Sequence, residues 1–309
     1  MRSIKHILVV VDPTTETQHC VEKGARLARA AGAKLELFIC DLSDIFSNRF
    51  TQGEALPGAL ARRRAALETR LHALVEPLRQ SGISVMTDTC FEHPLHVGVI
   101  RKVQASGADL VIKDTHYHAG VRRALFSNSD WHLIRECPVP LLLTKPTAWK
   151  SRIRMAAALD PAHPDDKPAV LDQELLEVVE QMAMVLKGDA FAVHAFDALP
   201  LFTGMAVGSA LGADPYGDVE LADSLRKVHE QEFRALLAGH AAFNDHAEMI
   251  DGSPLTVLPT YVTRMNVDVL ATGAVSRSLA RRLWVGSTAE RLLDRVTCDV
   301  LVVKPPQVV

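Results

Sequence analysis

The chain has 309 residues, of which 48% are hydrophobic and 23% charged, with a formal net charge of −3. This length and ordinary composition fit two globular domains, each large enough to bury a core. The slightly acidic balance gives no electrostatic basis for nucleic acid or an anionic membrane as main partner, and no apolar run approaches a transmembrane helix.

The chain opens with MRSIKHILVVVDP. Its apolar run is short, ends in Asp-Pro and lacks a small-residue cleavage site, so a β-strand ending at Asp12 is expected rather than a signal peptide. Val21, Ala25, Leu27 and Ala28 follow at helical spacing, and AKLELFIC, from Ala33, reads as a second strand. Leu60, Leu67, Leu71, Leu74, Val75 and Leu78 mark one face of a long amphipathic helix. That helix carries the basic cluster LARRRAALETR (Leu60–Arg70), expected to be a solvated face. A strand over Ile83–Phe91, a short helix, the strand ADLVI, a further helix and the strand PLLLTK complete the first half.

A polar stretch, KPTAWKSR (Lys145–Arg152), reads as the linker, giving domains 1–149 and 150–309. The second half repeats the order. RMAAALDP ends at Asp160; Leu175, Leu176, Val179 and Met182 form a helical face; DAFAVHAF is a strand. A second long helix shows Leu221, Leu225, Val228, Leu236 and Leu237, and a weak strand near Ala247–Ile250 precedes VDVLA and DVLVVK. The segment Asp197–Pro215 is apolar and rich in Gly and Ala, which suggests a protein contact or a lid over an apolar ligand. The halves align without gaps from Val111 to Lys145 and from Leu270 to Lys304, at an offset of 159 residues.

Alternating strands and helices imply an α/β fold: two repeated, doubly wound parallel-sheet domains, each of about five strands. The continuous apolar strands fit burial on both faces. Ligands of such sheets sit beyond the carboxyl ends of the strands at the switch point, where Asp12 and Asp160 are expected.

In the second half Gly273-Ala-Val-Ser276 is followed, after nine residues, by Gly286-Ser287. With the duplicated unit, this pattern resembles the universal stress protein family, whose nucleotide motif is G-x-x-G, nine residues, then G-[ST]. The resemblance covers both halves and implies a Rossmann-like fold of the adenine nucleotide alpha hydrolase type. It implies ATP or AMP, with magnesium, held by Asp160, Thr272, Gly273, Ser276, Gly286, Ser287 and Thr288. Ser276 departs from the family glycine. In the first half Asp114 stands at the Gly273 position and Ser127-Asn128 at the Gly286-Ser287 position, so that copy reads as degenerate.

Backbone N–H groups at a helix N-terminus bind anions, and glycine permits close approach. Gly-Ser-Thr followed by Glu290 is equally a good capped helix start, and that alternative stays open. The first half gathers histidines instead. His93 and His96 lie in FEHPLH, and Asp114, His116 and His118 in KDTHYHAG. Imidazole with carboxylate suits zinc, so His93, Asp114, His116 and His118 are a candidate metal set; exposed or hydrogen-bonded loop histidines are the alternative. His132 reads as a packed helix residue beside Trp131. Five scattered cysteines without a C-x-x-C pair fit reduced thiols and a cytoplasmic protein.

No catalytic set is evident: there is no G-x-S-x-G elbow and no P-loop. The expected function is that of a cytoplasmic universal stress protein, a regulatory binding module with an intramolecular pseudo-dimer, which itself could pair as a homodimer. The alternatives are a slow ATPase at the same site and a carrier of an apolar or acylated small molecule. A repeated unit tends to bury an apolar face against its twin, and the resemblance implies contact through PLLLTK and DVLVVK. Residues 1–149 and 150–309 expressed apart should therefore associate or aggregate; two soluble monomers without mutual affinity, seen by analytical ultracentrifugation, would refute the pseudo-dimer.

Overall fold

The computed structural model describes residues 3–41, 55–117, 124–125, 128–161, 170–197, 215–274, 292 and 294–305. The chain divides into two compact units, Met1–Ala148 and Trp149–Val309.

In the first unit, β1 (His6–Val10), β2 (Lys34–Asp41), β3 (Val85–Phe91), β4 (Leu110–Asp114) and β7 (Leu141–Thr144) form a parallel sheet in the order β3-β2-β1-β4-β7. Two further two-residue strands, β5 (His116–Tyr117) and β6 (Ala124–Leu125), pair antiparallel beyond β4. The sequence pattern does not reveal this ribbon, which is too short to show a period. The helices are α1 (His19–Ala31), α2 (Ala55–Gln80), α3 (Leu95–Ser106) and α4 (Asn128–Glu136).

Most of β1, β4 and β7 is apolar because helices cover both faces. Ile7, Leu8, Val9, Leu35, Leu37, Ile39, Val111 and Ile112 are fully buried. Helix α1 buries Cys20, Val21, Ala25, Leu27 and Ala28, then stops at Gly32, whose φ of 65° is the left-handed conformation that glycine adopts without a Cβ penalty. Leu67, Leu71 and Val75 anchor α2, while most of its Leu60–Arg70 stretch is exposed, as a solvated face should be. Arg63, within it, pairs with Asp41 at 2.7 Å.

The second unit repeats this plan. Strands β8 (Arg154–Leu159), β9 (Asp189–Phe196), β10 (Ala247–Asp251), β11 (Val269–Gly273) and β12 (Asp299–Val303) are parallel in the order β10-β9-β8-β11-β12. Helices α5 (Val170–Val185), α6 (Pro215–Leu237) and α7 (Pro254–Arg264) accompany them. The face expected from Leu175, Leu176, Val179 and Met182 is the buried one.

Both units share a device at the start of the sheet. Asp109 Oδ2 accepts from the backbone N–H groups of Lys5 and His6 at 2.8 and 2.9 Å; Asp268 Oδ2, at the repeat position, accepts from Arg154 N–H at 2.8 Å. These carboxylates tie the strand before the switch point to the one after it.

None of the five cysteines is in a disulfide; four are buried and Cys90 is half-buried. No helix among the described residues is long and apolar enough to cross a membrane.

One buried ion pair joins helix to sheet in the first unit. Lys113 Nζ, on β4, lies 2.8 Å from Asp130 Oδ1 in the first turn of α4, with the side chains 8% and 0% exposed. Removing one partner leaves a buried charge, which costs about 3–5 kcal/mol. Lys113→Met should destabilise the first unit by about that amount. The double variant Lys113→Met/Asp130→Leu should recover a large part of it, as measured by urea unfolding.

Candidate functional site

Each sheet has its switch point between the first and fourth long strands, because the chain leaves β1 (or β8) toward one edge and returns on its other side. Residues at those carboxyl ends line the crevice where ligands of this architecture bind. Val10 pairs with Lys113 and Ala158 with Thr272, so Asp12 and Asp114 flank the first crevice, and Asp160 and Gly273 the second.

The described residues at the second crevice include Asp160, Thr272 and Gly273. Asp160 follows β8, and its backbone N–H donates to Asp172 Oδ1 at 3.4 Å; Asp172, on α5, is buried. Thr272 and Gly273 are half-buried at the end of β11. Gly273 has a packing reason of its own: a Cβ there would meet Leu171 Cδ2, on α5, at 2.6 Å. Ser276, Gly286, Ser287 and Thr288 lie outside the described residues, as do His118 and residues 198–214 of the Asp197–Pro215 segment.

Beside Asp160 stands a pair that the sequence reading passed over. His194, fully buried on β9, donates from Nδ1 to the Leu159 carbonyl at 3.0 Å, since a carbonyl can only accept. Its Nε2 faces His229 Nδ1, on α6, at 2.8 Å. The signal was present: DAFAVHAF is an otherwise apolar strand interrupted by one imidazole.

The first crevice is occupied by its own side chains. Asp12 Oδ1 accepts from Thr14 N–H at 2.7 Å and from Thr14 Oγ1 at 2.6 Å. Asp114 Oδ1 accepts from Thr144 Oγ1 at 2.5 Å. Lys113 Nζ donates to the Asp114 carbonyl at 2.9 Å in addition to pairing with Asp130. The Asp130 carboxylate thus sits at the positive end of α4, where an external anion would otherwise be drawn. At the repeat positions the second half has Thr272 for Lys113 and Ala289 for Asp130, so it lacks this internal pair.

Of the candidate zinc set, His93, Asp114 and His116 fall among the described residues. His93 is exposed in the turn after β3, and Asp114 ends β4; the sheet order puts β2 and β1 between those strands. His116 lies in β5, in extended backbone.

A different cluster does converge. His96, in the first turn of α3, stacks on His132 of α4, with ring centroids 4.1 Å apart and planes 7° from parallel. His132 Nδ1 lies 2.9 Å from Glu136 Oε1, one helical turn on. His132 is thus packed, but against His96, and its side chain is still 40% exposed. Burial, then the neighbouring His132, holds the His96 imidazole below its usual pKa. His96 Nδ1 is buried with no hydrogen-bond partner among the described residues, a state that costs about 1–3 kcal/mol.

Two doubly wound parallel units of the same strand order, each with a crevice at its switch point, define a tandem Rossmann-like protein. The chain belongs to the universal stress protein family, a stress-response family whose model matches residues 3–145 and 168–304. It is 24% identical to universal stress protein E of Escherichia coli over 311 aligned residues, covering 99% of this chain and 96% of that one. It is 22% identical to the universal stress protein E homolog of Haemophilus influenzae, over 97% of each chain. Among solved structures, a functionally unknown protein from Pseudomonas aeruginosa matches with a TM-score of 0.75 at 22% identity, over 98% of this chain and 94% of the other. A universal stress protein from Archaeoglobus fulgidus matches with a TM-score of 0.67 at 14% identity, over 99% and 100%.

The Gly273–Leu171 contact yields a test of whether this glycine serves packing. Gly273→Ala should lower stability by about 1–3 kcal/mol, the usual cost of overpacking. Adding Leu171→Ala should relieve the clash, so that the pair loses less than the two single changes combined. Strict additivity in urea unfolding would show that Gly273 is not held by this contact.

Proposed function

We propose that this protein is a regulatory binding module of the stress response whose second unit binds an adenine nucleotide, ATP or AMP with magnesium. The observation that carries the reading is the contrast between the crevices. The first is filled by Lys113, Asp130 and Asp114, each with partners inside the fold. The second has Asp160, Thr272 and Gly273 at the same sheet edge, followed in sequence by the Gly-Ser-Thr stretch at 286–288.

In this reading Asp160 accepts from the nucleoside. Thr272, Gly273 and Ser276 present backbone and hydroxyl groups to phosphate, and Gly286, Ser287 and Thr288 form an anion-binding helix start. In this reading the second unit binds its nucleotide and does not turn it over. Cysteines held as thiols rather than disulfides support a cytoplasmic setting.

Calorimetry with ATP and Mg²⁺ on the full chain checks the reading. Gly286→Val should weaken binding by blocking close approach, whereas Ser276→Gly should leave it unchanged or strengthen it. Undetectable binding in the wild type and both variants would rule the site out, and undiminished binding by Gly286→Val would move it elsewhere. Single-turnover hydrolysis on the same samples separates a binding module from a slow ATPase.

A further inference from the structure

We propose that His96 of α3, with His132 and Glu136 of α4, forms a binding site for a divalent transition metal of the zinc class. The site is in the first unit and independent of the nucleotide reading.

The donor set comes from two helices. His132 and Glu136 are one turn apart on α4, so their side chains project from the same face. His96 is brought against them by the stacking of its ring on His132. One donor atom from each of the three lies within 4.8 Å of the others. Two imidazoles and one carboxylate, with a water in the fourth position, make a common zinc environment.

Two features favour an ion over simple packing. First, His96 Nδ1 is buried and without a hydrogen-bond partner among the described residues, and His96 as a whole is 8% exposed. A lone pair held this way is satisfied by a metal. Second, Glu136 ends α4, where the helix carbonyls already create negative potential. A carboxylate there is poorly placed by itself, and a dication offsets both charges.

Tetrahedral zinc with bonds of about 2.0–2.1 Å sets its donors roughly 3.3 Å apart, so donor spacings must adjust toward that value on binding. Parallel rings also aim their lone pairs side by side instead of at one point. The half-exposed His132 ring has room to turn about its χ angles, while the buried His96 ring stays as the anchor.

The test is titration of the metal-free full chain with Co²⁺, read by visible absorption, followed by competition with Zn²⁺. One Co²⁺ per chain should bind, with the absorption of a four- or five-coordinate ion, and Zn²⁺ should displace it. His132→Ala and Glu136→Gln, both at partly exposed positions and checked for native circular dichroism, should each weaken binding at least about 10–100-fold, the loss that even an outer-shell partner causes. His72→Ala, at an exposed position on α2, and the double variant His116→Ala/His118→Ala should bind as the wild type does. Absence of stoichiometric binding, or binding undiminished in both His132→Ala and Glu136→Gln, would leave the cluster a packed imidazole pair and overturn the proposal. Loss of binding in His116→Ala/His118→Ala alone would overturn it in favour of the loop histidines.

Discussion

Everything in each unit depends on parallel pairing across the switch point, β1 with β4 and β8 with β11. The strands that pair there are far apart in sequence, and their backbone ladders close only when the intervening helices have crossed the sheet. Asp109 and Asp268 hold those pairs at their starting ends by accepting backbone N–H groups from the neighbouring strand. At the opposite ends the same pairing opens a crevice, because the connections diverge to the two faces. The site is therefore a consequence of the sheet and not an addition to it.

The two crevices differ in their residues. In the first, a lysine on β4 and an aspartate on α4 neutralise one another out of water, and Asp114 is held by Thr144. An internal carboxylate at a helix N-terminus meets the same electrostatic demand that a bound phosphate would meet, so the two compete for one place. The second unit has Thr272 and Ala289 at those positions, which removes the competitor. Duplication preserved the scaffold because the apolar strands and the aspartate ties are shared.

Histidine marks the divergence in both halves, with a different physical role in each. His194 has its tautomer set by a backbone carbonyl, which leaves Nε2 to accept from His229 Nδ1 beside Asp160. His96 has a buried nitrogen left over and a second imidazole stacked on it. A buried ring with its bonds satisfied belongs to the scaffold; a buried ring with one nitrogen unmatched is an opening for chemistry.

Period and spacing alone determined the alternation of strands and helices, the duplication, the burial of the α5 face at Leu175, Leu176, Val179 and Met182, and the position of Asp12 and Asp160 at strand ends. These properties are local, or repeat at a constant offset, and so are written in residue order. Tertiary structure decided what depends on strand order and helix contact. It put β2 and β1 between the ends of β3 and β4, and so separated the strand before His93 from the strand of Asp114. It gave Gly273 a reason in Leu171, and it paired Lys113 with Asp130. It also turned His132 from a helix residue beside Trp131 into the partner of His96. No period in the sequence encodes those meetings, because each joins side chains on elements whose approach is set by the packing of the whole unit.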